Sequence, residues 1–363
     1  MHIEQLIDTM VAVGASDLHI QARAVPHLRL AGQMREVDCP PVSAEEIQVF
    51  VDQVISPYAR RELSRRGSCD LAFTYGDARL RVNVFVQQSA HTLAIRRLSL
   101  TIPGFQEMHL PPQLAKIADL PRGLVLVAGT TSSGKSTTIA AMIGHINRTR
   151  KARIITVEDP VEYVHTNDRS LIAQVEIGSD TPSYEQAIRQ VLRQDPDVIM
   201  IGELRETVGI RVALRAADTG HLVFATIHAA DARQTVERLI AMFDPSEREL
   251  LLTQMAMNLQ AVICQRLARS TAAVGGGLLP VVEILRTTPV VRKCILESRY
   301  DGMLQAMVNR DSEMQTFDQH LSELYRAKQI SGTEALRTSS NAEALALMLR
   351  GITTRDAQRG LVR

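Results

Sequence analysis

Eight consecutive residues constrain this chain more than any other stretch: Gly129-Thr130-Thr131-Ser132-Ser133-Gly134-Lys135-Ser136. They satisfy the pattern Gly-x4-Gly-Lys-Ser/Thr at every fixed position. An apolar run, residues 124–128, precedes them, and helical spacing follows over Lys135–Thr149. Strand, glycine-bounded loop and helix in that order gather backbone N–H groups and the positive end of a helix dipole at one point. Such a point suits phosphate. The loop N–H groups face its oxygens, the Lys135 ammonium reaches the outer phosphates, and the Ser136 hydroxyl is placed for Mg2+. The loop, Thr137 included, is therefore a nucleotide-binding candidate.

From residue 122 onward, apolar runs alternate with helical segments. The runs are 124–128, 154–157, Val198–Ile201 and Leu222–Ile227; the helical segments are Lys135–Thr149, 184–194 and 206–219. That alternation predicts an α/β fold on a mostly parallel sheet. Ligands of such sheets bind at the carboxyl ends of the strands. Glu158, Asp159 and Glu162 follow the second run, Glu203 the third and His228 the fourth, with His221 just before the fourth. One acid at such a site holds Mg2+ directly or through water, and a second polarises the attacking water. Taken singly, each acid also fits a solvated loop charge or a helix N-cap. His221 also fits a charge at a helix C-terminus, and His228 a core group.

Residues 1–100 read as a separate small α+β domain, with 101–121 as a turn-rich linker and 122–363 as the second domain. Helical spacing opens the chain and returns over 43–66, where Ser43 and Glu46 stand at capping-box spacing. β-like stretches cover 69–75, 79–86 and 92–98. Arg79, Arg81, Arg96 and Arg97 lie on the last two of these. They fit a solvated basic face equally well as arginines that reach a phosphate held by another domain or subunit. Beyond about residue 244 the pattern is largely helical, interrupted by Gly275-Gly276-Gly277 and a β-like stretch at 279–284.

Composition removes several classes. The 363 residues carry Lys plus Arg 41 against Asp plus Glu 40, and aromatics make up only 4%. Nucleic-acid binding is therefore not expected. No apolar run approaches the length of a membrane-spanning helix, and the start lacks a basic, then apolar, leader. The four cysteines form no CxxC pair, which disfavours disulfides and zinc and fits a cytoplasmic protein.

These segments together resemble the ATPases of type IV pili and type II secretion. Ala15-Ser16-Asp17-Leu18-His19-Ile20 is similar to an N-terminal signature of that family, and Arg79-Leu80-Arg81-Val82-Asn83 to its RxRVN strand. Thr156-Val157-Glu158-Asp159-Pro160-Val161-Glu162 resembles its Asp box, residues 193–205 its Walker B segment, and residues 219–228 its His box. Within the family the chain looks most like the retraction (PilT/PilU) branch, because it has a short first domain and no four-cysteine metal site. Two departures stand out: Ser132 where the family has glycine, and a divergent 291–299 where the branch has an AIREGK-like segment.

The resemblance implies a PAS-like first domain and a RecA-like second domain that ends in helices. It implies a homohexameric, Mg2+-dependent ATP hydrolase, in which Glu162 activates water and Glu203 sits near Mg2+ with Ser136 and Glu158. His221 and His228 become nucleotide sensors, and Arg81 and Arg96 phosphate contacts. The expected work is pilus retraction through an inner-membrane platform protein, with the chain peripheral at the cytoplasmic face. Rival outputs are an accessory role beside a second retraction ATPase, and assembly or secretion. A DNA-translocating ring is disfavoured by the charge.

Overall fold

The computed structural model describes residues 2–76, 78–98 and 100–350. The tail of the expected helical region, 351–363, lies outside the described residues. The chain forms two compact units. One comprises Met1–Ile102, Ile155–Thr166 and Ile172–Val191; the other comprises Pro103–Ile154, Asn167–Leu171 and Leu192–Arg363. The division is thus not a single cut in the chain: two segments beyond residue 121 group with the N-terminal unit.

The N-terminal part of the first unit holds α1 (Ile3–Ala12), β1 (Asp17–Gln21), β2 (His27–Leu30), β3 (Gln33–Glu36), α2 (Ala44–Val54), α3 (Pro57–Arg66), β4 (Ser68–Tyr75), β5 (Ala78–Gln87) and β6 (Ala90–Leu98). The strands pair antiparallel in the order β3-β2-β1-β6-β5-β4. Along β5, Ala78, Leu80, Val82 and Val84 are fully buried, while Arg79, Arg81 and Asn83 between them are only partly buried. This period of two puts one face of the sheet into the core with Leu6, Ile7 and Met10 of α1 and Phe50 and Val51 of α2. The opposite face carries the arginines.

The helical spacing over 43–66 is two helices rather than one. Ser43 Oγ accepts from Glu46 N at 3.1 Å, and Ser43 N donates to Glu46 Oε2 at 2.9 Å, which starts α2. Pro57 forces its predecessor out of the helical region, and Ser56 stands at φ −72°, ψ 160°. Ser56 then caps α3, accepting from Ala59 N at 3.1 Å.

After α4 (Gln113–Ala118), which lies inside the expected linker, come β7 (Gly123–Ala128), α5 (Lys135–Thr149), β8 (Arg153–Glu158), β9 (Leu171–Glu176), α6 (Tyr184–Val191), β10 (Val198–Ile201), α7 (Thr207–Asp218), β11 (Leu222–Ile227), α8 (Ala232–Ala241) and α9 (Arg248–Asn258). The remaining elements are β12 (Leu259–Arg269), β13 (Leu278–Arg286), α10 (Pro289–Leu296), α11 (Asp301–Val308), α12 (Phe317–Arg326), α13 (Gly332–Thr338) and α14 (Ala342–Leu349). The second sheet has the order β13-β12-β7-β11-β10-β8-β9. β10, β11, β7 and β12 run parallel, and β13 returns antiparallel on β12. Every residue of β7, β10 and β11 is buried, as strands covered on both faces require. α5 and α7 pack on β7 and β11.

Beyond residue 244 the described region is largely helical as expected, and β13 falls on the β-like stretch expected at 279–284; the unexpected element is β12. Ala261-Val262-Ile263-Cys264 is a continuous apolar run buried within the sheet. It lacks the alternation that marks a half-exposed strand, so periodicity alone does not separate it from a buried helix.

His320 of α12 holds β13 and makes stability pH-dependent. Val282 N donates to His320 Nδ1 at 2.9 Å, and burial lowers the pKa of the ring to about 4. The unfolded chain takes up this proton near 6.5 and the folded chain only near 4. This contribution is therefore present at neutral pH and lost as pH falls from about 6.5 to about 4. At about 1.4 kcal/mol per pH unit it amounts to about 3 kcal/mol. A His320→Gln variant should show a shallower fall of Tm between pH 7 and 4.5 than the unmodified chain. Equal slopes would remove His320 from the account.

Candidate active site

The phosphate-loop motif lies where its sequence context predicts, between β7 and α5. Its glycines are required by close approach. A Cβ on Gly129, which has φ 156°, would stand 2.4 Å from Ser133 Oγ and 2.6 Å from Gln265 O. A Cβ on Gly134, at φ 87°, would stand 2.6 Å from Gln265 Nε2. Ser132 adopts φ 61°, the left-handed region that a glycine enters at less cost. Lys135 is buried at the first turn of α5, and its Nζ donates to Gly129 O at 3.0 Å and Thr130 O at 2.9 Å.

One observation fits the loop to a phosphate: Ser133 Oγ is buried with no hydrogen-bond partner among the described residues. A cavity of about 420 Å³ adjoins it, lined by Thr130, Ser132 and Ser133 with Arg266, Arg337 and Ser339. Sequence reasoning missed the last three. They lie far along the chain, and no local motif marks them.

Strand register brings a second group to the same edge. β11 lies between β7 and β10, with Ile227 opposite Ala128 and Ala225 opposite Ile201. The segments after all three strands therefore leave the sheet on one side, with neighbouring strands about 4.8 Å apart. Glu203 follows β10, and its Oε1 lies 3.2 Å from His228 Nε2 beyond β11. Arg205 Nε donates to Glu203 Oε2 at 2.8 Å. Leu204 N donates to Thr226 O at 2.9 Å, which ties this turn to β11. Glu203 and His228, predicted separately, thus form one contact.

His221 goes elsewhere. It precedes Leu222, which pairs with Gly123 at the opposite end of β7. Six strand residues, about 20 Å, separate it from His228. Its Nδ1 lies 2.9 Å from Ala216 O and 3.1 Å from Thr219 Oγ1. Within one chain, therefore, His221 is not brought to the phosphate loop.

The remaining candidates belong to the first unit. Arg81 and Arg96 are direct cross-strand partners on β5 and β6. Like charges so placed repel, and carboxylates flank them. Arg96 Nε binds Asp17 Oδ1 at 2.7 Å, while Arg81 Nε lies 3.7 Å from Asp70 Oδ1 and its Nη1 3.8 Å from Glu162 Oε1. Burial raises the Asp17 carboxyl, but hydrogen bonds from Arg96 and Ser16 outweigh it and leave the group below its ordinary value. Both arginines line a cavity of about 200 Å³ with Asp17, His19, Asp70 and Asn83.

Arg79 is committed differently, with Nη2 2.9 Å from Glu176 Oε2 in a largely buried pair. Arg97 Nη1 donates to Val11 O at 3.4 Å. Glu158 is buried. Burial raises its pKa, opposed by Thr156 Oγ1 at 2.6 Å and Gln174 Nε2 at 3.1 Å. Among the described residues no three acids, histidines or cysteines cluster as a protein-only metal site.

Comparison with known proteins identifies the family and fold of the chain. The sequence profile of the family described as Type II/IV secretion system protein matches residues 1–354. The type IV pilus ATPase PilU of Pseudomonas aeruginosa is 37% identical over 360 residues, covering 98% of this chain and 94% of that protein. The type IV pilus retraction ATPase PilT of the same organism is 36% identical over 337 residues, covering 92% and 97%. The crystal structure of the pilus retraction motor PilT with bound ADP superposes with a TM-score of 0.84 at 37% identity, covering 94% of this chain and 98% of that one. The chain belongs to the Type II/IV secretion system protein family and has the RecA-like, phosphate-loop fold of its ATPases.

Proposed function

We propose that this chain is an ATP-hydrolysing motor that powers type IV pilus retraction as a homohexameric ring. The observation that carries the chemistry is the Glu203–His228 contact at the sheet edge that also carries residues 129–136. The loop N–H groups and Lys135 hold the nucleotide phosphates. Ser136 and Glu203 would hold Mg2+, and Glu158 would contribute partly through water. When bound, Mg2+ neutralises charge on the phosphate oxygens. Glu162 takes the proton of the attacking water, as the family resemblance implies. His228 orients Glu203. Arg81 and Arg96 meet the negative charge that develops on the transferred phosphoryl group of a bound nucleotide. Their cross-strand placement supports this role, since two guanidinium groups side by side favour an anion.

Near-full-length identity to both PilT and PilU supports retraction and keeps a second reading open, that of an accessory to another retraction ATPase. Among the described residues no helix is long and apolar enough to cross a membrane. We place the ring at the cytoplasmic face of the inner membrane, working on a platform protein there, with no nucleic-acid partner. Deleting the gene tests the assignment. Excess surface pili with lost twitching is the expected result. Normal piliation with weakened retraction would favour the accessory role, and absent pili would overturn retraction in favour of assembly.

A further inference from the structure

We propose that Gln265, on β12, is a positioning residue for ATP hydrolysis that holds the phosphate loop in its binding shape; this rests on reading residues 129–136 as the nucleotide site. β12 runs parallel to β7 and outlasts it. Cys264 pairs with Ala128, the last residue of β7, so Gln265 stands beside the start of the loop. Its side chain is buried and bonded at both ends of the amide. Nε2 donates to Ser133 O at 2.8 Å, and Oε1 accepts from Thr138 Oγ1 at 2.6 Å. Gln265 is 1% exposed and Thr138 is 0% exposed.

The orientation of the amide follows from its partners. Ser133 O can only accept, so the amide NH2 must face it, and the Thr138 hydroxyl must donate to the other end. One side chain thereby joins the last residue before Gly134 to the first turn of α5. The consequence for binding lies in the peptide between Ser133 and Gly134. A trans peptide is planar, with its C=O and N–H on opposite sides. Drawing Ser133 O toward β12 aims Gly134 N–H the other way, as one of the donors the loop offers to phosphate. The motif glycines carry the imprint of this strut. A Cβ at Gly129 would meet Gln265 O, and one at Gly134 would meet Gln265 Nε2.

Gln265 touches no reacting atom, so its effect should appear in nucleotide affinity more than in the chemical step. Gln265→Met keeps the size and removes both hydrogen bonds, leaving Ser133 O and Thr138 Oγ1 without this buried partner. The expected result, by titration with ADP and by steady-state ATPase kinetics, is a rise of about tenfold in Kd and KM with a smaller change in kcat. Tm without nucleotide should stay within a few degrees of the unmodified chain.

Thr138→Val removes half of the bridge and should raise Kd severalfold. Combined with Gln265→Met it should add little, because both act through one network. If Gln265→Met does not fold, the Thr138→Val affinity alone decides. Unchanged Kd and KM in the folded variants, or fully additive losses in the double variant, would overturn the proposal. Lys135→Ala separates the two readings. If that variant binds and hydrolyses ATP normally, the site assignment itself fails. If it is inactive while Gln265→Met binds normally, only the role of Gln265 fails.

Discussion

Lys135→Ala is expected to lower ATP turnover by roughly a thousandfold or more, measured as phosphate release at saturating Mg2+ and ATP. The side chain is buried at the start of α5, 3.0 Å from Gly129 O and 2.9 Å from Thr130 O. It therefore supplies a fixed positive charge inside a loop whose other donors are neutral N–H groups. Truncation removes that charge from the outer phosphates, where negative charge is transferred during hydrolysis. It also takes a donor from two loop carbonyls. The fold should survive, since α5 is held by Ile139, Met142, Ile143 and Ile146, all buried away from the loop. Wild-type turnover in this variant would refute the site.

Glu203→Gln should separate binding from chemistry. The substitution keeps size and keeps an oxygen that can accept from Arg205, which now donates at 2.8 Å. It removes the negative charge that faces Mg2+ and His228. Nucleotide affinity should change by no more than a few fold, while kcat falls by roughly a hundredfold to ten-thousandfold. Single-turnover kinetics with labelled ATP checks both numbers in one experiment. A Glu203→Gln chain that hydrolyses at the normal rate would assign this carboxylate a structural task, that of holding Arg205 and His228 in place.

Much of this site was legible in the sequence because its parts are local. The phosphate-loop motif needs only eight neighbouring residues and their flanks. Strands β10 and β11 and helix α5 have the bounds that the apolar runs predicted. Register then did what no local pattern can. It joined Glu203 to His228, opposed Arg81 to Arg96, and sent His221 to the far end of β11.

The unreadable parts share one cause, which is long-range partnership. Gln265 follows four apolar residues, and its acceptor Ser133 is 132 positions away. Nothing near Gln265 in the chain signals that pairing. Arg266 is equally hidden. It lies over the Phe317 ring at 4.0 Å and donates to Thr338 O at 2.9 Å, so only the folded hairpin explains it. β9 was missed because its residues are mostly half-buried and show no alternation. The helical spacing over 43–66 does not by itself show the break between α2 and α3, which Pro57 imposes.

The account joins one chemical site to one mechanical output, and a single measurement addresses both. Labelled surface pili are filmed in the deletion strain, complemented with either the unmodified chain or Lys135→Ala. The account predicts that the unmodified chain restores pilus shortening and that Lys135→Ala leaves pili extended. Shortening at the unmodified rate with Lys135→Ala would contradict it.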